Sequence, residues 1–554
     1  MRTRLSQKWN QFEQTLADAT RRDFLTSSAS GLGGLALSAH LASELVAGEK
    51  GASRTDPLAP RSAHRRAKAK ACIFIYLAGA PSHLELYSPK PKLKQFNGQQ
   101  LPDSLTKGIR FAFINKNAKL MASKRPYKQY GESGMWFTDR LPHVSRHADD
   151  ICMIQTMHSE AFNHHPAQML MCCGQQKFGL PSVGAWLNYG LGAPSKNLPG
   201  YIVLAAGPAA RGGATLYSSG FLPSTVAGVL FRSKGEPVLN LNNPKGLTSA
   251  AQRISLDALK DLNKRRFGSL GDQEINSRIS AYELAFRMQT AAPDLIDLSD
   301  ETKQTLESYG VQRKGVPGDF SRNCLLARRM VERGVRFINI FHGGWDAHGG
   351  VEGNVASNCN VVDQPVGALL ADLKQRGMLD STLVVWGTEF GRTPLVQGKD
   401  GRDHHPHAFP IWMAGGGARG GYTHGRTDDL GWSIQENPVH INDFQATLMR
   451  LFGIDDKKLI HRFKGLDFRL TGVGESGHVV NDLIGLNGSH DVSILVDVPD
   501  ADRTTFLAGP AERGGVWRRA QRHAGGRGRI GWGNRVPSGF RLAHLRQAAD
   551  AFGL

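Results

Sequence analysis

The chain predicts an α/β fold with a mostly parallel central sheet, and three observations carry that prediction. Short apolar runs such as ACIFIYLA (71–78) stand between turn residues, the pattern of strands buried on both faces. Segments with apolar residues at helical spacing, 274–293 and 321–334 among them, alternate with those runs. Polar signatures follow directly on the runs: FHGGWDAHGG after one, VVWGTEFGRTP across the end of another, and GRDHHPH soon after. Open α/β sheets bind ligands outside the carboxyl ends of their strands, so such signatures mark a candidate site.

The elements follow in chain order. Residues 20–47 begin with Arg21–Arg22, then Asp23, Phe24 and Leu25, then a weakly hydrophobic run rich in Gly, Ala and Ser. That is the pattern of a twin-arginine export signal, removed near Ala47, and it is too mild and interrupted for a membrane span. Residues 1–47 are therefore expected to address the chain to the twin-arginine export machinery. That route carries folded cargo, and the mature protein is periplasmic or extracellular with no stable membrane span. Residues 48–70 read as a polar, disordered linker. The body, 71–490, opens with the 71–78 strand and the loop Ser82-His83-Leu84-Glu85. Strands follow at 151–157, 201–205, 335–341, 381–388 and 409–413. A helix starts at NHHP, with Pro166 in its first turn, and another covers 363–376 up to Gly377. Residues 491–554 form a separate tail, rich in Arg and Gly and without periodicity.

Charge alone points elsewhere, and its distribution corrects the impression. The formal net charge is +19, but residues 1–70 hold 12 Lys/Arg against 6 Asp/Glu, and 491–554 hold 10 Arg against 6. The body is only mildly basic, a bias that favours anionic substrates. No basic-aromatic nucleic-acid module is present, and no nucleic-acid partner is expected. The six cysteines lie scattered in apolar surroundings without zinc-type spacing, which predicts buried free thiols.

Chemistry concentrates in the three signatures. Asp346 and His348 are two apart in an extended or loop segment, which projects both to one side, and both are natural ligands of a divalent ion. Glu389 ends a strand, and Arg392 three residues on can grip a phosphate or sulfate, or instead form a buried ion pair. Asp403, His404 and His405 supply further ligands or an acid–base group, with His405 the candidate for proton transfer. His407 is expected outside the ligand set, and His424 is a weaker candidate. His440 and Asp443 lie at a helix start, where Asp443 can serve as a cap alone. His164 and His165 precede a helix whose N-terminus favours anions, so His164 is a candidate wall of an anion site, with ordinary polar packing the equal alternative.

Taken together, APSHLELYSPKP, NHHPAQMLMCCG, YELAFRMQT, CLLARRMVERGVRFINIFHGGWDAH, GTEFGRTP, GRDHHPHAF and FKGLDFRLT resemble the domain of unknown function 1501 family, related to the alkaline phosphatase and sulfatase superfamily. The resemblance runs from about residue 70 to 484. It implies a three-layer α/β fold of the alkaline-phosphatase type, with a divalent-metal centre of zinc, manganese or calcium at the sheet's carboxyl edge. Asp346 and His348 look like the superfamily's carboxylate–histidine ligands. Glu389 aligns with the carboxylate of its Asp-His-Gly motif, which here reads Glu389-Phe390-Gly391. That lacks one histidine, and Asp403 with His404 or His405 stands as its replacement. Glu85 occupies a position where the family more commonly has Asp, and is carried as a metal ligand. No Cys-x-Pro-x-Arg motif exists, which disfavours a formylglycine sulfatase mechanism.

The expected activity is metal-dependent hydrolysis of phosphate or sulfate esters, on a small molecule or a glycan. The alternative is a non-catalytic exported protein of the same fold that binds an anionic glycan or a protein partner.

Overall fold

The computed structural model describes residues 56–101, 117–474 and 477–485. The expected signal peptide and the 491–554 tail lie outside the described residues. Among the described residues nine strands form the main sheet. We label them and one off-sheet hairpin in chain order: β1 Ala71–Leu77, β2 Ile151–His158, β3 Tyr201–Ala206, β4 Val229–Leu230, β5 Phe337–His342, β6 Thr382–Gly387, β7 Gly391–Gln397, β8 Gly401–His405, β9 Phe409–Ala414, β10 Tyr422–His424 and β11 Val439–His440. The sheet order is β10-β2-β9-β6-β1-β5-β3-β4, with β11 also on β2, while β7 and β8 pair with each other as a separate antiparallel hairpin. Only β9 runs against its neighbours in the main sheet, so the sheet is mostly parallel as the apolar runs predict.

Strand β1 explains the architecture. Its seven residues are all buried. Ile73, Ile75 and Leu77 join one core with helix residues such as Leu325, Leu326 and Leu369, while Cys72, Phe74 and Tyr76 join a second core with Leu170, Trp186 and Leu448. Side chains alternate across a strand, so an apolar run without polar interruption needs helices on both faces. The result is three layers. Helices α1 His164–Cys173, α2 Val183–Leu191 and α5 Ile441–Leu451 cover one face, and α3 Asp319–Glu332 and α4 Val351–Gln375 the other.

Three elements differ from the reading of the chain. Helix α4 begins at Val351, twelve residues earlier than the periodicity indicates, and runs through Pro365. Its first turns are Asn-rich because they serve a loop: Asn354 and Asn358 both donate to the Gly344 carbonyl, at 2.8 and 3.0 Å. A second long helix, Ser249–Leu270, precedes Gln273–Ile296. Residues 56–70 of the expected linker run along the body, with Arg65 N on the Gly453 carbonyl, Lys68 N on that of Leu451 and Ala69 buried. The six cysteines are free and buried, as expected. No described helix is long and apolar enough to cross a membrane.

Candidate metal centre

Strands β1, β2, β3, β5 and β6 all end on the same edge of the sheet, and each releases a loop there. The loop after β5 carries Asp346 and His348. The loop after β6 carries Glu389, and that after β2 leads into α1 at His164. Hairpin β7–β8 folds back across the edge, with His404 opposite Arg392 in its register. Close packing at this edge depends on glycine. Gly79, after β1, has φ +110°, and a Cβ there would lie 2.6 Å from Asp346 N; a Cβ on Gly401 would collide with the His348 carbonyl.

Four side chains converge. Ring nitrogens of His164, His348 and His404 and a carboxylate oxygen of Asp346 lie within 4.8 Å of one another. Oδ1 of Asp346 is 3.0 Å from His164 Nε2, 2.9 Å from His348 Nε2 and 3.5 Å from His404 Nε2. The Nε2 atoms of His348 and His404 face each other at 3.1 Å. What lies behind the rings decides their chemistry. Nδ1 of His164 donates to Glu389 Oε1 (2.7 Å), Nδ1 of His404 to the Phe162 carbonyl (2.8 Å), and Nδ1 of His348 to Gln397 Oε1. Each acceptor holds the proton on Nδ1, so in the neutral rings all three Nε2 lone pairs point inward. Histidine ligands are oriented by outer partners in this way. Nε2 of His164 is buried and makes no hydrogen bond.

The surroundings tune the charges. Burial opposes ionisation of Asp346, but the close approach of His164, His348, His404 and Arg392 outweighs it and holds the carboxylate well below its usual range. Burial likewise opposes ionisation of Glu389; His164 and Gln168 outweigh it and lower its pKa. For His164, burial favours the neutral ring, yet Asp346 and Glu389 prevail and raise its pKa. Burial lowers that of His404 despite the contact with Asp346.

Several sequence candidates have other duties. Arg392 is fully buried and donates to the Ala80, Gly79 and Arg402 carbonyls and, at 2.7 Å, to Asp346 Oδ1. It therefore positions Asp346 and presents no free face to an anion. Glu85, carried as a ligand, is locked to Arg402 at 2.6 Å and to Ser82, with both charged partners buried, and lies outside the cluster. His405 turns away from His404, as successive strand residues must. It stacks on Trp432 with Nε2 3.0 Å from that residue's carbonyl, and burial pushes its pKa down to about 3. Glu389 stands one shell behind the cluster, held by His164, Gln168 and the Gly79 amide. The Asp403 carboxylate accepts from the His404 amide. His440 and Asp443 form a capping box at the start of α5.

The chain reading passed over Arg211 and Gln168. Arg211, largely exposed, lies 3.1 Å from Asp346 Oδ2. It follows β3 in a Gly/Pro loop at a strand's carboxyl end, the same signal that marks Asp346.

Residues 69–484 match the family model described as "Protein of unknown function (DUF1501)". The chain belongs to the DUF1501 family. A comparison with curated proteins found no match. Among solved structures, this DUF1501 chain is similar to the PsFucS1 sulfatase from Pseudoalteromonas sp., at 11% identity over 75% of this chain and 73% of that one, with a TM-score of 0.31. It is also similar to alkaline phosphatase from the Antarctic bacterium TAB5 (12%, 70% and 98%, TM-score 0.30) and to the lipoteichoic acid synthase LtaP from Listeria monocytogenes (10%, 73% and 78%, TM-score 0.30). At such scores the chemistry rests on the residues of this chain.

Proposed function

We propose that this DUF1501 protein is an exported, metal-dependent hydrolase of phosphate or sulfate esters. One observation carries the reading: three imidazole Nε2 atoms and one carboxylate oxygen converge, with every Nδ1 tied to an acceptor. A set of three nitrogens and one oxygen suits zinc or manganese, and disfavours calcium, which prefers oxygens. Bound there, a divalent ion would act as a Lewis acid toward an ester and its attacking water.

The chain's own groups support the rest. Arg211 has the exposed guanidinium able to hold an anionic ester beside Asp346. Arg392 and Glu389 hold Asp346 and His164 in place. The four converging side chains include no hydroxyl or thiol, so the attacking group in this reading is water. The same observation favours the second reading, a non-catalytic binder of anions.

Elemental analysis combined with a screen of aryl phosphates and sulfates tests both. A bound transition metal and turnover that Asp346→Asn abolishes support the hydrolase. Metal without turnover leaves the binding protein, and absence of metal at any pH sinks the hydrolase. Arg211→Ala should raise KM with little change in kcat. Export by the twin-arginine route is supported by Arg21–Arg22 and by the mild run after them. Cell fractionation should find Arg21→Lys/Arg22→Lys protein retained in the cytoplasm; unchanged export of that variant would refute the route.

A further inference from the structure

A cavity of about 880 Å³ opens between the loop around Leu84–Lys94, the segment Met121–Tyr127 and Trp136. That volume lies within the roughly 300–1,000 Å³ of ligand pockets. One wall connects it to the metal centre: Arg402 donates to the carbonyl of cavity-lining Met121 at 2.9 Å and grips Glu85 beside cavity-lining Leu84. The same strand delivers His404 to the cluster.

The lining is one-sided in charge. Among the described residues it contains Lys90, Lys94, Lys124 and Arg125, and no carboxylate. Lys90 is held by Thr427 Oγ1 and the Asp428 carbonyl, and Arg125 is turned to Asp139 and Glu352. Lys94 and Lys124 are exposed and pair with no carboxylate among the described residues. Trp136, 40% exposed, adds a large aromatic face that no core claims. An exposed indole beside unpaired ammonium groups fits a ligand with flat C–H faces and anionic substituents, since the ring packs the former and the lysines take the latter.

We infer that this cavity binds the flanking sugars of an anionic glycan, with Trp136 under a pyranose ring and Lys94 and Lys124 on its sulfate, phosphate or carboxylate groups. The inference names the substrate class of the proposed hydrolase, but the binding itself needs no metal. A single-stranded nucleic acid is the weaker fit, because sequence-tolerant binding of bases uses successive stacking rings. Here Tyr127 has its hydroxyl tied to the Leu84 carbonyl, which leaves Trp136 as the exposed ring of the cavity among the described residues.

Calorimetry on the full chain tests this with three probes: a heparin hexasaccharide, neutral maltohexaose and a thymidine hexanucleotide. The heparin probe should bind most tightly. Trp136→Ala should weaken it about tenfold, and Lys94→Ala/Lys124→Ala by at least as much. Arg265→Ala/Arg266→Ala, on helix 249–270 outside the cavity lining, should change nothing, which separates the cavity from general basic charge. Asp346→Asn should bind heparin as well as the parent does, so loss of hydrolysis and loss of this inference are distinguishable. Equal heparin affinity in parent, Trp136→Ala and the double lysine variant overturns it. Tighter binding of the nucleotide that those same substitutions abolish overturns it in favour of nucleic acid.

Discussion

Two carboxylate–arginine pairs sit near one sheet edge and have opposite fates. Glu85 and Arg402 are buried together, and the guanidinium covers both carboxylate oxygens at 2.6–3.2 Å. Asp346 also has a buried arginine, Arg392, at 2.7 Å, yet the same oxygen faces three imidazole nitrogens and its side chain stays 23% exposed. The first pair is a closed, charge-neutral strut. The second is open on the side where the Nε2 lone pairs point. A carboxylate at a strand end is therefore not a ligand by position. It becomes one when its remaining neighbours are acceptors of a cation and not donors that already satisfy it.

The sharpest way to break this contrast is to exchange the residues' fates by substitution. Asp346→Asn should lower metal affinity by more than about 100-fold, the upper range seen for changes behind a ligand; competition with a chromogenic chelator reads it. Glu85→Ala should do the reverse. Metal per folded molecule should stay at the parent value, while stability falls by about 3–5 kcal/mol because Arg402 is left buried without its partner. Urea unfolding of the metal-free form measures the second quantity. If Glu85→Ala instead lost metal at unchanged stability, the closed pair would belong to the site after all.

Much of this geometry was legible along the chain, and the losses have a common cause. The strands and their carboxyl-end loops followed from apolar runs, and Asp346 with His348 from a spacing of two. Hairpin β7–β8 carries Pro394 and no apolar run, so nothing local marks it as strand. Without that hairpin, His404 and His405 could not be told apart; alternation on β8 sends one to the cluster and the other to Trp432. Glu85 was ambiguous because its partner Arg402 lies 317 positions away. His164 passed for a wall of an anion site because Glu389, which fixes its tautomer, is 225 positions distant. Residue type and local spacing name candidates; which of them share a partner is decided by packing.

Glu389 tests the outer tier of the open site. Its carboxylate accepts from His164, Gln168 and the Gly79 amide, and the hydroxyl of Thr388 lies 3.1 Å from its other oxygen. Glu389→Gln keeps the shape and removes the charge behind His164. Metal affinity should fall about 10- to 100-fold, less than for Asp346→Asn. A larger fall than that would make Glu389 a direct ligand.

The smallest effect is the most specific. Without an ion, Asp346 and Glu389 raise the pKa of His164, so a proton on Nε2 is the alternative way to satisfy Asp346. Because the folded pKa is raised, that proton stabilises the metal-free protein fully below the unfolded value of about 6.5, and the contribution is lost as pH rises through the folded value. Metal needs the same lone pair, so its affinity should fall by about tenfold per pH unit once His164 is protonated. The melting difference between metal-loaded and metal-free protein should accordingly widen as pH rises from 5.5 to 8. Glu389→Gln removes one of the two charges that hold the proton, and should move that widening to lower pH. A melting difference independent of pH, or a Glu389→Gln profile unshifted from the parent's, would mean that His164 does not exchange a proton for the ion. The open site would then consist of Asp346, His348 and His404 alone.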